Sequence, residues 1–401
     1  MSRSASPSRL LLPAFGLAYA GAVIGYLPLL SLLLPMKVER IAGDARIGVF
    51  TLTMVVGALV ASAANVLFGW LSDRSVARGG GRRRWIGGGA AGLVAAYVLV
   101  AAAATPVAII GAVMLFQIAI NAILAPLMAI MADEIPDTRR GLAGGLLALG
   151  APGAAAVSAL LVALPWLDND ARLACVAVAS VAALLPLLVL RRPPIATAAA
   201  ATDAAPADGE PSGRGSLIVA SAARLLVQVA GSALSLYLLY YLQSLAPGTP
   251  SAELATQVGT LLTICHVLPL PIALLVGRWS DHARRRKPFL LCAAVTATTG
   301  LLVMALVPHP ASVTIGFAIH AIGSAVFLSL HSAFAIQLLP DPRHRGRDLG
   351  LLNLANTLPA LLGPLLTWTL ATPRDFTPLL LVLAATTLCG GIAIVPVRGR
   401  R

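Results

Sequence analysis

Twelve stretches of roughly 20 or more mostly apolar residues leave this chain few folds to choose from. They lie at about 10–35, 47–70, 85–104, 107–131, 141–166, 172–190, 216–244, 255–277, 288–307, 312–338, 348–371 and 377–396. A helix needs roughly 20 apolar residues to cross a ~30 Å hydrocarbon core. A mean hydropathy of +0.87 would expose far too much apolar surface in water, whereas a bilayer solvates it directly. Helices satisfy their own backbone hydrogen bonds inside lipid. A transmembrane barrel would show short alternating segments, and the chain has none. The expectation is an all-α membrane protein with twelve transmembrane helices, each numbered here as a span.

A net charge of +13 invites thoughts of nucleic acid. The placement of the charges argues against it. With the N-terminus inside, Lys37, Arg40, Arg46, Arg172 and Arg374 fall outside and Arg224 falls within span 7. All the other lysines and arginines lie on the cytoplasmic side, as the positive-inside rule describes. Arg3 and Arg9 precede an apolar run containing "AYA" at 18–20, which resembles a signal-peptidase site. The run continues to Leu34, so it is read as the first span. Cys175, Cys265, Cys292 and Cys389 all fall inside spans, without metal or disulfide spacing, and read as small packing residues.

"RRPPIATAAAATDAAPADGEPSGRG" at 191–215 is the one long polar interruption and reads as a flexible cytoplasmic linker. It separates an N-terminal bundle, 1–190, from a C-terminal bundle, 216–401. Asp73 in "WLSD" and Asp281 in "WSD" lie 208 residues apart, each after the second span of its half. "IPDTRRGLAGGLLAL" at 135–149 pairs with "LPDPRHRGRDLGLLNL" at 339–354, with Pro136 matching Pro340. Two regions at nearly one offset indicate a parallel duplication, hence two pseudo-symmetric six-helix bundles.

The six-plus-six plan, with an acidic–basic loop after spans 2 and 8, resembles the major facilitator superfamily. "GWLSDRSVARGGGRRRWI", "ADEIPDTRRGLAGG" and "LPDPRHRGRDLGLLNLANTLP" resemble the glycoside–pentoside–hexuronide:cation symporters and the sucrose-transporter-like proteins. The resemblance implies the fold of that superfamily and cation-coupled transport. Symporters of this kind carry aspartates in the second span. "FTLTMVVGALVASAANVLFGW" has none, which argues against sodium coupling through that site.

The loop charges must act against helix ends, because the loops are too short to fold alone. Asp73 and Asp281 lie where a helix meets the cytoplasm, and each can pair with nearby arginines or a helix N-terminus. Such contacts would hold the halves together on the inside while the cavity faces outward. Arg74, Arg78, Arg82, Arg83, Arg284 and Arg285 are the candidate partners, and Asp133, Arg140, Arg345 and Asp348 are expected in the same layer. Each exposed pair is worth about 0–1 kcal/mol, so several form a reversible latch. The simpler role of the basic runs is to set topology.

Away from their ends, spans 3, 6, 9 and 12 lack Asn, Gln, His and charged residues, so they read as outer supports around a cavity built by the others. Gln117/Asn121 and Arg224/Gln228 are i,i+4 pairs that share a helix face, and Tyr19 and Tyr26 share a face of span 1. With His266 and His320 these are the candidate substrate contacts. Amides, tyrosine rings and an arginine suit a hydroxyl-rich solute. Gln117, Asn121 and Gln228 would serve equally as interhelical ties, and His320 and His331 as bonds to neighbouring helices. Pro152, Pro359 and Pro364 are expected to bend their helices.

No phosphate-binding glycine loop, catalytic constellation or metal cluster occurs, which speaks against a nucleotide-driven pump and against an enzyme. No cofactor is implied. No carboxylate lies deep in a span, leaving His266 as the best deep titratable group. The expected function is a monomeric inner-membrane secondary transporter with both termini cytoplasmic. It would move a sugar or glycoside by alternating access with proton symport. A drug or metabolite exporter is the alternative, with "GAPGAAA" at 150–156 resembling the Gly-Pro motif of superfamily antiporters. A sensor or scaffold would show no solute flux.

Overall fold

The computed structural model describes residues 10–164, 166–190, 214–283, 285–338 and 354–397. The chain divides into two compact units, Met1–Ala205 and Pro206–Arg401, and the division falls inside the segment read as a linker, of which 191–213 lie outside the described residues.

The first unit contains α1 (Leu11–Pro28), α2 (Leu34–Ala42), α3 (Arg46–Ala77), α4 (Arg83–Ala102), α5 (Pro106–Glu134), α6 (Asp137–Ala148), α7 (Gly150–Ala163) and α8 (Asn169–Val189). The second contains α9 (Arg214–Leu245), α10 (Ser251–Val267), α11 (Pro269–Ala283), α12 (Lys287–Leu306), α13 (Pro310–Gln337), α14 (Pro359–Leu370) and α15 (Thr377–Ala393). Among the described residues, nine helical runs are long and apolar enough to cross a membrane, and α14 and α15 are shorter apolar helices. The first run, Leu11–Ala77, is 67 residues, or roughly 100 Å if straight, about three bilayer cores. It breaks at Gly43, whose φ of 53° ends α2, and so supplies two spans.

Local chemistry sets several boundaries. Thr105 caps α5 by accepting from the Ala108 N–H at 3.2 Å, with Pro106 at the first helical position. Asp168 caps α8 by accepting from the Ala171 N–H at 2.7 Å. Span 5 is interrupted at Leu149, three residues before Pro152, which has no N–H to give the preceding turn. Span 8 is interrupted in the same way at Leu268, before Pro269. Pro359 starts α14, and Pro364 lies inside it without ending it.

The two units share an internal plan. In the first, α1 packs on α7 and α8, α3 on α5, and α4 on α5 and α8. In the second, α9 packs on α14 and α15, α11 on α13, and α12 on α13 and α15. These are the same five span pairings, so the duplication read from the sequence is also one of packing. Four tryptophans stand exposed at span ends: Trp70 and Trp279 at the end carrying the charged loops, Trp166 and Trp368 at the other. Tryptophan favours that depth in a bilayer.

The tightest seam joins α12 to α13. A methyl group on Gly300 would meet backbone atoms of Gly316 and His320, and one on Gly323 would lie 2.6 Å from the Ala293 carbonyl oxygen. Backbone cannot swing aside as a side chain can, so only glycine permits this approach. Gly300→Val is therefore expected to lower the unfolding temperature of detergent-purified protein, at a cost of at least about 1–3 kcal/mol. Gly87→Ala, where nothing lies within 4 Å, is expected to leave it unchanged or higher.

Candidate functional site

The charged loops of the first unit close into a clasp that ties four helix ends together. Arg82, just before α4, donates from Nε and Nη2 to Asp133 Oδ2 at 2.9 and 2.6 Å. Its Nη1 donates to Asp73 Oδ1 at 2.6 Å and Ser72 Oγ at 2.8 Å, both near the end of α3. Burial pulls the Arg82 pKa down, the bonds to Asp73 and Asp133 push it up, and the balance lies above the usual arginine value. Arg83 forms a two-pronged pair with Glu134 at 2.7 and 3.1 Å and donates from Nε to the Leu187 carbonyl at the end of α8. Glu134 was not among the sequence candidates. Its position next to Asp133, facing the next arginine of the run, was the available signal.

The second unit repeats this arrangement incompletely. Arg286 donates to Asp281 at 2.8 Å, as Arg82 does to Asp73. Lys287 donates to the Val395 carbonyl at 3.2 Å, as Arg83 does to Leu187. At the repeat offset, however, Gln337 and Leu338 stand where the first unit has Asp133 and Glu134. Among the described residues, Arg286 Nη1 and the fully buried Ser280 Oγ have no hydrogen-bond partner. Arg74 and Arg78 are exposed, with the Arg74 guanidinium 5.1 Å over the Trp70 ring, and Arg285 is exposed. Arg284, Arg345, Asp348 and the side chain of Arg140 lie outside the described residues.

Cations also cap helix C-termini at the opposite end of the first unit. Lys37 Nζ donates to the Ala101 carbonyl at 2.6 Å, and Arg172 donates to those of Leu161, Val162 and Leu164. These carbonyls lack partners within their own helices and carry the negative end of the helix dipole.

Within the spans, the candidates separate. Asn121 is buried, accepts from Asn65 Nδ2 at 3.1 Å and donates to the Gln117 carbonyl at 2.9 Å, so it ties α3 to α5. Gln117 packs beside Gly57 of α3 and is partly exposed. Tyr19 and Tyr26 are partly exposed on α1, and the Tyr19 ring lies against Gly150, where span 5 is interrupted. His266 bonds through Nδ1 to the Leu262 carbonyl at 2.6 Å, just before the α10 break. Nearby, a hollow of about 380 Å³ between α10 and α13 is lined by Thr256, Gln257, Thr260 and Thr314 among others.

In the second unit Arg224 of α9 gathers groups from α13 and the helical residues before α14. Nε donates to Asn356 Oδ1 at 2.7 Å, and Nη1 to Ser332 Oγ at 3.1 Å and the Leu328 carbonyl at 3.3 Å. Gln228, one turn along, has a buried Oε1 without a partner among the described residues. Ser332 was missed by sequence reasoning, since a serine in a span is usually a bond to its own helix.

His320, a candidate substrate contact, is 2% exposed and sits in the α12–α13 seam with Nδ1 3.2 Å from the Ala297 carbonyl. The close approach at Gly300 and Gly323 encloses it. The cysteines are not uniformly packed inside: Cys265 is buried, but Cys175, Cys292 and Cys389 lie exposed on helix faces.

The chain superposes on a bacterial homolog of the human lysosomal transporter Spinster in an inward-facing, occupied conformation. The TM-score is 0.70 at 15% identity, covering 98% of this chain and 96% of that one. It superposes on a peptide transporter, POT, in complex with sulfate at TM-score 0.73 and 14% identity, covering 98% and 95%. The fold is that of the major facilitator superfamily. Residues 216–401 also match the family model of the Major Facilitator Superfamily. Two uncharacterized MFS-type transporters from two strains of Mycobacterium tuberculosis are 36% identical over 151 residues, which is 35% of this chain. The match spans about a third, 32%, of those relatives' length.

Within this major facilitator fold the clasp residues differ in what they should cost to remove. Arg83 and Glu134 expose only 10% and 8% of their side chains, whereas Asp73 exposes 67%. Glu134→Gln strands a buried cation and is expected to cost about 3–5 kcal/mol. Asp73→Asn is expected to cost no more than about 1 kcal/mol. Unfolding in detergent of the two variants beside the parent protein checks the ranking.

Proposed function

We propose that the chain is a secondary transporter that carries a small polar solute across the cytoplasmic membrane by alternating access. The observation that carries this reading is the distribution of polar groups in a major facilitator fold. Span interiors hold open polar groups at Tyr19, Tyr26 and Gln117 in one unit and Arg224 in the other. A lipid-facing surface has no use for such groups. The 36% identical relatives are named as transporters of the same type, which supports the class and not the cargo.

Of the solutes considered, a sugar or glycoside fits tyrosine rings and amides best, and the loop motifs resembling the glycoside–pentoside–hexuronide:cation symporters support it. Proton coupling is the corresponding energy source, with His266 the group placed to exchange a proton. The clasp ends act as the gate. Asp73 and Asp281 keep 67% and 66% of their side chains exposed beyond their arginine bonds, so each is open to a second partner. We read Arg74, Arg78, Arg82, Arg83, Asp133, Arg140, Arg284, Arg285, Arg345 and Asp348 as the rest of that layer. The protein works as a monomer with both termini in the cytoplasm.

Purified protein in liposomes, screened against labelled sugars, tests the reading. Uptake is expected to accelerate several-fold when the outside is made acidic relative to the lumen, and Gln117→Ala is expected to raise KM. Dye extrusion indifferent to sugars would instead favour the exporter. Absence of flux for every solute under every gradient would overturn transport altogether.

A further inference from the structure

The polar patch around Arg224 carries an unbalanced positive charge. Arg224 sits 10 residues into α9, roughly 15 Å from its start, inside a span. Its three printed hydrogen bonds go to an amide oxygen, a hydroxyl and a backbone carbonyl, all neutral. No aspartate or glutamate occurs in α9, α12, α13, α14 or α15. Those of α10 and α11 are Glu253, in the first turn of α10, and Asp281, near the end of α11 and paired with Arg286. No carboxylate anywhere in the sequence lies in the middle of a span.

A cation at that depth is costly and is ordinarily matched by a carboxylate or faces water. Among the described residues no carboxylate is bonded to Arg224, and the patch is open: Ser332 and Asn356 are both exposed. Gln228 Oε1, one turn along the same face, is also unspent. Arginine presents a planar fork suited to carboxylate or phosphate oxygens. We propose that Arg224 is the anchor for an anionic group of the solute, so that the sugar read above is an acidic or phosphorylated one whose hydroxyl donates to Gln228. The assignment rests on the transport reading for its biological sense, but binding through Arg224 is measurable without flux.

The test is thermal unfolding of the purified full chain in detergent at fixed ionic strength. The probes are sodium lactate, sodium gluconate and inorganic phosphate, against neutral glucose and glycerol. At least one anion is expected to raise the unfolding temperature of the parent protein, with glucose and glycerol ineffective. Arg224→Gln is expected to weaken the response about tenfold or more in apparent affinity, the size of a lost charge-assisted bond, and Arg224→Lys to keep part of it. Ser332→Asp places a carboxylate beside Nη1. It is expected to raise the ligand-free unfolding temperature and abolish the anion response. The proposal is overturned if the parent protein and Arg224→Gln respond alike to every anion. It is equally overturned if the neutral solutes stabilise as well as the anions do. Anion binding through Arg224 without flux sinks the transport reading alone. Glucose transport indifferent to Arg224→Gln sinks this assignment alone.

Discussion

A peptide group inside hydrocarbon finds no water to bond, and everything in this structure follows from that restriction. The backbone closes on itself as helices, so unpaired carbonyls occur only at helix ends. Those ends are where the chain spends its cations. Lys37, Arg83, Arg172 and Lys287 each donate to carbonyls at or just beyond a helix C-terminus. Charge that would be intolerable mid-span thus stabilises the termini.

The duplication shows how such a device drifts. Both units keep an aspartate at the end of the second span, an arginine before the third and a cation that bonds the end of the sixth. Only the first keeps the acids of the fourth. There Arg82 and Arg83 are paired with Asp73, Asp133 and Glu134. In the second unit Ser280 Oγ and Arg286 Nη1 have no partner among the described residues.

Much of this was legible in the sequence because it is local. Hydropathy over about 20 residues marks a span regardless of what surrounds it. The offset of 208 between Asp73 and Asp281 marks the repeat, and the absence of mid-span carboxylates is simply read off. The helix interruptions were half legible: Pro152 signalled a break in span 5, while the break before Pro269 drew no attention among the prolines of an apolar run.

What sequence alone determined is the class of fold and the repeat of one plan in its two halves. What only tertiary structure decided is which face of each helix meets which neighbour. His320 and Arg224 look alike in sequence, each a polar residue in a span, yet one is sealed against α12 and the other stands open beside Asn356. The difference comes from glycines at 300 and 323, which let two backbones close over the histidine. Packing of that kind depends on atoms more than 20 residues apart and on volumes of a single methyl group, and no periodicity along the chain records it.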